Sequence, residues 1–135
     1  MRPKLDVVED NADNRLLLRG ILEDLFDLRE FETGPEALAA ILADRPDIVL
    51  LDISLPGMDG VEVLVRLREH PALRTLPVVA LTAHAMVGDR EKFLAFGFDD
   101  YVSKPIVDEK DLFDAIRRSL AKNAAAPPTS GNCPS

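Results

Sequence analysis

The segment IVLLD, at residues 48–52, is a continuous apolar run that ends in an aspartate. A second segment of the same character, VVALT at residues 78–82, ends in a threonine. Unbroken apolar strands are typical of a parallel sheet whose two faces are both covered by helices. In such open α/β sheets, binding groups gather beyond the carboxyl ends of the strands. The two segments therefore predict an α/β fold with its functional groups at one edge of the sheet.

Working outward, the strands predicted are Leu5–Val8, Leu28–Phe31, Ile48–Leu51, Val78–Leu81 and Tyr101–Val102. Four helices are predicted from apolar residues at helical spacing, which we expect to pack in the core: Leu17, Leu18, Ile21, Leu22 and Leu25; Ala37, Leu38, Ile41 and Leu42; Val61, Leu64 and Leu67; and Leu112, Phe113, Ile116 and Leu120. A further helix, the fourth in chain order, is predicted over Arg90–Phe96. A capping box at Thr33–Glu36 begins the second helix, and Gly97 ends the fourth. The charged second strand suits a sheet edge. This alternation predicts five βα units around a parallel sheet.

The chain has 135 residues, of which 47% are hydrophobic, and this is enough for one globular domain with a substantial core. Its 24 acidic and 16 basic residues give a net charge of −8, which opposes direct binding to nucleic acid or to an anionic membrane surface. We predict an ordered domain over residues 1–122 and a flexible tail over residues 123–135, which is rich in Ala and Pro.

The single cysteine, Cys133, lies in that tail and allows no internal disulfide bond. A reducing, cytoplasmic setting is the simplest interpretation. The N-terminal apolar stretch is too short and too charged for a signal sequence or a membrane span, so no membrane association is predicted.

Three carboxylates are expected to meet at the functional edge, because Glu9 and Asp10 follow the first strand and Asp52 ends the third. One pair about 4 Å apart would repel by about 4 kcal/mol at an effective dielectric of 20. A Mg²⁺ ion would offset this repulsion and leave room for a phosphate oxygen. Thr82 and Lys104, which follow the fourth and fifth strands, would add a hydroxyl and a positive charge. Together these groups predict a site at which Asp52 attacks phosphorus as a nucleophile.

Four separated motifs resemble the receiver domains of two-component response regulators: VEDN at residues 8–11, LDISLPGMDG at 51–60, ALTA at 80–83 and YVSKP at 101–105. The resemblance extends from about Lys4 to Lys122. It implies a flavodoxin-like (βα)5 fold, in which a doubly wound five-stranded parallel sheet has the strand order 2-1-3-4-5.

The resemblance also implies a role for each matching residue. Asp52 would be phosphorylated, and Mg²⁺ would be bound by Asp10, Asp52 and the main-chain carbonyl of Ser54, with Glu9 acting through a metal-bound water.

Thr82 and Lys104 would contact the phosphoryl oxygens, and Tyr101 would reorient when Thr82 moves. A cis Lys104–Pro105 peptide bond is implied as well. His84, two residues after Thr82, is either a rim residue that affects phosphoryl lifetime or an ordinary surface residue.

The function implied is that of a phosphorelay switch, which signals through a partner-binding surface and does not turn over a substrate. Its partners would be a histidine kinase or a histidine phosphotransfer protein and a downstream protein target, and a phosphorylation-dependent homodimer is permitted. The chain is either a stand-alone receiver or a receiver excised from a larger regulator or hybrid kinase. Two alternatives are a degenerate receiver that binds its partner constitutively and a phosphatase with an aspartyl nucleophile, although the latter would want an acid where Ser54 stands.

One residue departs from the family pattern. Asp6 occupies a position in the first strand where the family usually has an aliphatic side chain. An unpaired buried carboxylate is costly. We therefore expect Asp6 to lie at an exposed strand end, to have a partner, or to have a raised pKa.

Overall fold

The computed structural model describes residues 2–83, 89–104 and 109–125. Five strands form one sheet: β1 (Lys4–Val8), β2 (Asp27–Phe31), β3 (Ile48–Asp52), β4 (Val78–Thr82) and β5 (Asp100–Ser103). Five helices alternate with them: α1 (Ala12–Leu22), α2 (Gly34–Ala43), α3 (Gly60–Arg68), α4 (Asp89–Phe96) and α5 (Glu109–Ala125). The strands are all parallel and lie in the order 2-1-3-4-5, so the predicted flavodoxin-like fold is confirmed.

The helices divide between the two faces of the sheet. Buried residues of α1 and α5, such as Leu18 and Ile116, pack on one face against Leu50 and Leu81. Buried residues of α2, α3 and α4 pack on the other face, in a cluster that contains Ala37, Ile41, Val63, Leu67 and Phe93. β3 and β4 are buried along their whole length, which explains their unbroken apolar sequences.

Local sequence signals set several helix ends. Thr33 caps α2 by accepting a hydrogen bond from the amide of Glu36, as its capping box predicts. Asp59 caps α3 through the amide of Glu62. Gly97 follows α4 with a φ of 111°, a left-handed conformation that glycine adopts without strain. The Asp59 cap places the start of α3 directly after the loop that follows β3.

Three predicted core positions are wrong. α1 ends at Leu22, so Leu25 lies in the following turn and is 53% exposed. Leu17 on α1 and Leu42 in the last turn of α2 are 44% and 49% exposed. Both lie beside the narrower stripe that faces the sheet. The buried residues of these helices are Leu18 and Leu22 on α1, and Gly34, Ala37 and Ile41 on α2. Helical spacing alone makes the apolar stripe appear wider than the contact with the sheet.

Asp6 is fully buried in β1 and is paired with Arg29 of the neighbouring strand β2. The guanidinium donates two hydrogen bonds to the carboxylate, at 2.8 and 2.7 Å, and a third to the main-chain oxygen of Asp44. Burial raises the pKa of Asp6, and pairing with Arg29 offsets only part of that rise. Of the three expected outcomes, a partner and a raised pKa are found, whereas an exposed strand end is not.

Several sequence predictions fall outside the described residues. These are the environment of His84, the cis Lys104–Pro105 bond and the environment of Cys133. Helix α5 is described through Ala125, so residues 123–125, which we assigned to the tail, are helical. The division into a domain and a tail stays a prediction. Among the residues that are described, no helix is long and apolar enough to cross a bilayer.

Candidate phosphoacceptor site

The parallel sheet brings the predicted site residues to a single edge. Asp52 is the last residue of β3 and lies beside Leu81 of β4, while Thr82 ends β4 beside Ser103 of β5. Glu9 directly follows β1, and Lys104 directly follows β5. Four strands therefore each supply a polar side chain to the same end of the sheet.

Three carboxylates form a cluster at this edge. One carboxylate oxygen each from Glu9, Asp10 and Asp52 lies within 4.8 Å of the others. Glu9 and Asp52 are buried, whereas Asp10 is exposed. The cluster thus has a buried floor of two acids and a third acid at its solvent side.

Lys104 connects the two buried acids. Its ammonium nitrogen Nζ lies 3.1 Å from Glu9 Oε1 and 2.9 Å from Asp52 Oδ2, and the side chain is 15% exposed. Burial opposes the charged form of this lysine, but the hydrogen bonds to Asp52 and Glu9 outweigh it and raise the pKa of Lys104. The lysine is therefore a fixed positive charge between two carboxylates.

A single ammonium does not neutralise both acids. Burial, together with the neighbouring Asp52 carboxylate, raises the pKa of Glu9 to about 7, although its contacts with Lys104 and the amide of Asn11 oppose the rise. Near neutral pH Glu9 is therefore partly protonated. The carboxylates of Asp52 and Asp10, with the ionised fraction of Glu9, still outnumber the single ammonium of Lys104, and this favours the entry of a cation.

The carboxylate of Asp52 is held on both oxygens. The amide of Ser54 donates to Oδ1 at 2.9 Å, and Lys104 donates to Oδ2. Gly60, the first residue of α3, passes so close that a Cβ atom there would lie 2.4 Å from the main-chain oxygen of Asp52. Only glycine fits at this approach, so the start of α3 sets the position of the aspartate.

The other predicted residues are placed as follows. Thr82 is 4% exposed, and its main-chain oxygen accepts a hydrogen bond from the amide of Lys104 at 2.7 Å. Tyr101 is half-buried on β5, with its ring 5.6 Å from the ring of Phe93 on α4. Ser54 is exposed in the loop after β3. The functional roles assigned to these three residues stay predictions.

We define the acidic loop as Glu9, Asp10 and Asn11, between β1 and α1. The sequence analysis assigned no role to three residues that fix this loop: Asn11 itself, Asn14 and Arg15. Asn11 caps α1 through the amide of Asn14, whose side-chain nitrogen donates to Glu9 at 3.3 Å. Arg15 donates to the main-chain oxygens of both acids, at 2.8 and 3.1 Å. The one signal for them was their position in the first turn of a helix that directly follows the acidic pair.

The donor set fits Mg²⁺. Carboxylate oxygens are the hard ligands that this ion prefers, and opposite ligands of an octahedral Mg²⁺ lie about 4.2 Å apart. The observed separation of up to 4.8 Å is close to that value. The exposed Asp10 also leaves one side of the cluster open to solvent, as a phosphate oxygen or water requires.

Comparison with known proteins identifies the family. Residues 6–117 match the family model of the response regulator receiver domain. The chain is 39% identical over 131 residues to the sensor protein GacS of Pseudomonas syringae, and 40% identical over 118 residues to the response regulator PleD of Caulobacter vibrioides. These alignments cover 93% and 87% of the chain but only 14% and 26% of those longer relatives.

The fold also matches a solved receiver structure. The receiver domain of the sensor histidine kinase PA1611 from Pseudomonas aeruginosa superposes with a TM-score of 0.80 at 30% identity, over 90% of this chain and 99% of that one. That structure contains a magnesium ion coordinated in its active site cleft. With the family match over residues 6–117, these similarities show that the chain belongs to the response regulator receiver domain family.

Proposed function

We propose that this chain is a Mg²⁺-dependent phosphoacceptor that takes a phosphoryl group onto Asp52 and then switches its partner-binding surface. The observation that carries the proposal is the bridge from Lys104 to the buried carboxylates of Glu9 and Asp52. Burying two carboxylates beside one ammonium carries a large electrostatic cost, and packing of the sheet alone does not require such a cluster. Such strained groups are typical of functional sites.

Asp52 is the best nucleophile of the three acids. Donors fix both of its carboxylate oxygens, whereas Glu9 holds its proton up to about pH 7 and Asp10 lies at the solvent side. In the proposed step one Asp52 oxygen forms a bond to phosphorus while the phosphorus–nitrogen bond of a phosphohistidine donor breaks. The departing imidazole keeps the electron pair and takes a proton from water. Lys104 would balance the charge that the phosphoryl oxygens bring.

The residues proposed to hold Mg²⁺ are Asp10, Asp52 and the main-chain carbonyl of Ser54, with Glu9 contributing through water. When bound, Mg²⁺ would neutralise the acidic cluster and the charge of the incoming phosphoryl group. The fit of the three carboxylates supports this assignment, as does the magnesium site of the related PA1611 receiver domain.

The switch is proposed to involve Thr82 and Tyr101. Thr82 ends the strand beside Asp52, and Tyr101 packs against Phe93 of α4. A movement of Thr82 toward a phosphoryl group would therefore change the packing on the α4 side of β5. The free-energy change required is a shift in population between two states. A downstream protein, or a second copy of the chain, would read that surface.

Receiver domains exchange phosphoryl groups with histidine kinases and phosphotransfer proteins, and we propose such a donor for this chain, acting in the cytoplasm. The relatives GacS and PleD are named as a sensor protein and a response regulator. For this chain we propose the receiver role alone, and not the activity of the longer relatives. We propose residues 1–122 as the functional receiver unit.

The test is direct phosphorylation. The protein is incubated with Mg²⁺ and acetyl phosphate, and intact mass is recorded for the wild type, Asp52→Asn and Asp59→Asn. Asp59 is the matched control, because it is an exposed aspartate near the site and asparagine preserves its helix cap. We expect the mass of one phosphoryl group to be gained by the wild type and Asp59→Asn but not by Asp52→Asn. A folded wild type that gains no mass would instead support a constitutive binding module.

A further inference from the structure

Arg15 occupies an unusual place for a charged residue on a surface helix. It lies in the first turn of α1, and its side chain turns back toward the acidic loop, where it is only 15% exposed. One terminal nitrogen, Nη1, donates to the main-chain oxygen of Glu9 at 2.8 Å and to that of Asp10 at 3.1 Å. A single side-chain group thus holds two consecutive carbonyls of the chain.

The carbonyl of Glu9 needs an external donor. The amide of Glu9 still pairs with the main-chain oxygen of Phe31, but beyond that point the chain leaves the sheet and enters the loop. A part-buried main-chain carbonyl such as that of Glu9 is costly if nothing donates to it, whereas the exposed carbonyl of Asp10 accepts the same donor in place of water. Arg15 supplies that hydrogen bond and so fixes the path of the main chain between β1 and α1.

The position of the Asp10 carboxylate depends on this path. Glu9 is held through its own side chain, by Asn14 and Lys104. In contrast, no side chain in the described part of the protein donates a hydrogen bond to the Asp10 carboxylate. The main chain therefore sets the point from which that carboxylate reaches the cluster, and Arg15 holds this main chain on the carbonyls of Glu9 and Asp10.

Arg15 is anchored in turn by the edge strand and the turn after it. Its Nη2 lies 3.2 Å from Glu32, and its Nε lies 3.9 Å from Glu30 of β2. These two acids offset the guanidinium charge, so that it opposes a nearby cation less than a free arginine would. They also fix the guanidinium plane, which delivers two hydrogen bonds in a fixed geometry.

We propose that Arg15 is a positioning residue for the metal site, which sets the Asp10 carboxylate in place for Mg²⁺ by holding the main chain of the acidic loop. This inference rests on the proposed function, since it assigns Asp10 to the ion. Residues that orient the ligands of a metal usually change its affinity by about 10- to 100-fold when they are removed. Because Arg15 acts through the main chain, we expect the lower end of that range.

The experiment measures Mg²⁺ binding without any phosphoryl donor. Protein freed of metal with EDTA and dialysed is titrated with MgCl₂ by calorimetry at pH 8, above the pKa of Glu9, so that a proton on that residue does not compete. The variants are Arg15→Ala, Arg15→Lys and Arg19→Ala. Arg19 is the matched control, because it lies one turn further along α1 and pairs with Glu30 but makes no contact with the acidic loop.

We expect Arg15→Ala to weaken Mg²⁺ binding about tenfold, Arg15→Lys to restore affinity to within about threefold of wild type, and Arg19→Ala to leave it unchanged. At saturating Mg²⁺, phosphorylation of Arg15→Ala by acetyl phosphate should proceed within about twofold of the wild-type rate. Unchanged Mg²⁺ binding by a folded Arg15→Ala would overturn the inference. Tighter binding would overturn it too, because it would show that the positive charge of Arg15 repels the ion more than its hydrogen bonds help to place Asp10. If the wild type itself binds no Mg²⁺, the proposed function fails as well.

Discussion

Replacing Glu9 by glutamine should remove most of the pH dependence of stability that the acidic pocket creates. The pKa of Glu9 is about 7 in the folded protein, against an ordinary value of 4.5. The folded state therefore binds this proton more tightly than the unfolded chain does. The stability that results is fully present below pH 4.5 and is lost as the pH rises to about 7.

The size of the effect follows from the difference of about 2.5 between the two pKa values. Each pH unit corresponds to about 1.4 kcal/mol, so the free energy of unfolding should fall by about 3 kcal/mol in all. About 2 kcal/mol of this loss lies between pH 5.5 and 8, a range that avoids precipitation near the isoelectric point of 4.7. Glutamine has nearly the same shape as glutamic acid and does not titrate, so its variant should lack this component.

Urea unfolding followed by circular dichroism, with EDTA present to remove divalent ions, would measure both proteins at several pH values. The stability of the wild type relative to Glu9→Gln should fall by about 2 kcal/mol from pH 5.5 to pH 8. Asp6, whose pKa is also raised, contributes to both proteins and cancels in the difference. Parallel pH profiles, or a wild type that gains on the variant as the pH rises, would refute the assignment of a raised pKa to Glu9.

Two further substitutions test how the fold supports the site. Gly60→Ala would force a Cβ atom against the main chain of Asp52, so we expect a loss of about 1 to 3 kcal/mol in urea unfolding and slower phosphorylation. Gly20→Ala, which meets nothing within 4 Å on α1, should instead stabilise by about 0.5 to 1 kcal/mol, and equal effects at both glycines would contradict the packing argument. Asp6→Ala should cost about 1 to 3 kcal/mol, because Arg29 loses its two hydrogen bonds to the buried carboxylate and keeps only its contacts with Asp44. Replacing Asp6 and Arg29 together by leucine should be nearly neutral. A double variant as unstable as the single one would show that the pair itself stabilises the sheet.

The sequence predicted the fold well because the buried strands are continuous and the helices are periodic. Every predicted strand lies within an observed one, and the observed β3 and β4 end on Asp52 and Thr82, the polar residues that were singled out. The edge position of β2 also follows from its charges. Hydrophobic pattern and strand length are local properties, so one sequence suffices to read them.

What the sequence could not predict depends on contacts between distant segments. The partner of Asp6 is Arg29 because β1 and β2 pair in parallel with these two residues side by side, and no local pattern specifies that register. Arg15 resembles any exposed arginine of a helix until the loop before it is placed in space. The amphipathic stripe of α2 likewise did not reveal that Leu42 is exposed.

The bridge between Glu9 and Lys104 joins residues that are 95 positions apart in the chain. A protein emerging from the ribosome would expose all three acids long before the lysine that balances them is made. Contacts of such high sequence separation carry a larger loop-closure cost than local ones. A chain that has not yet added β5 would carry the acidic cluster without the lysine that balances it. Under the proposed function, the site could therefore accept a phosphoryl group only after the last strand of the sheet has been made and placed.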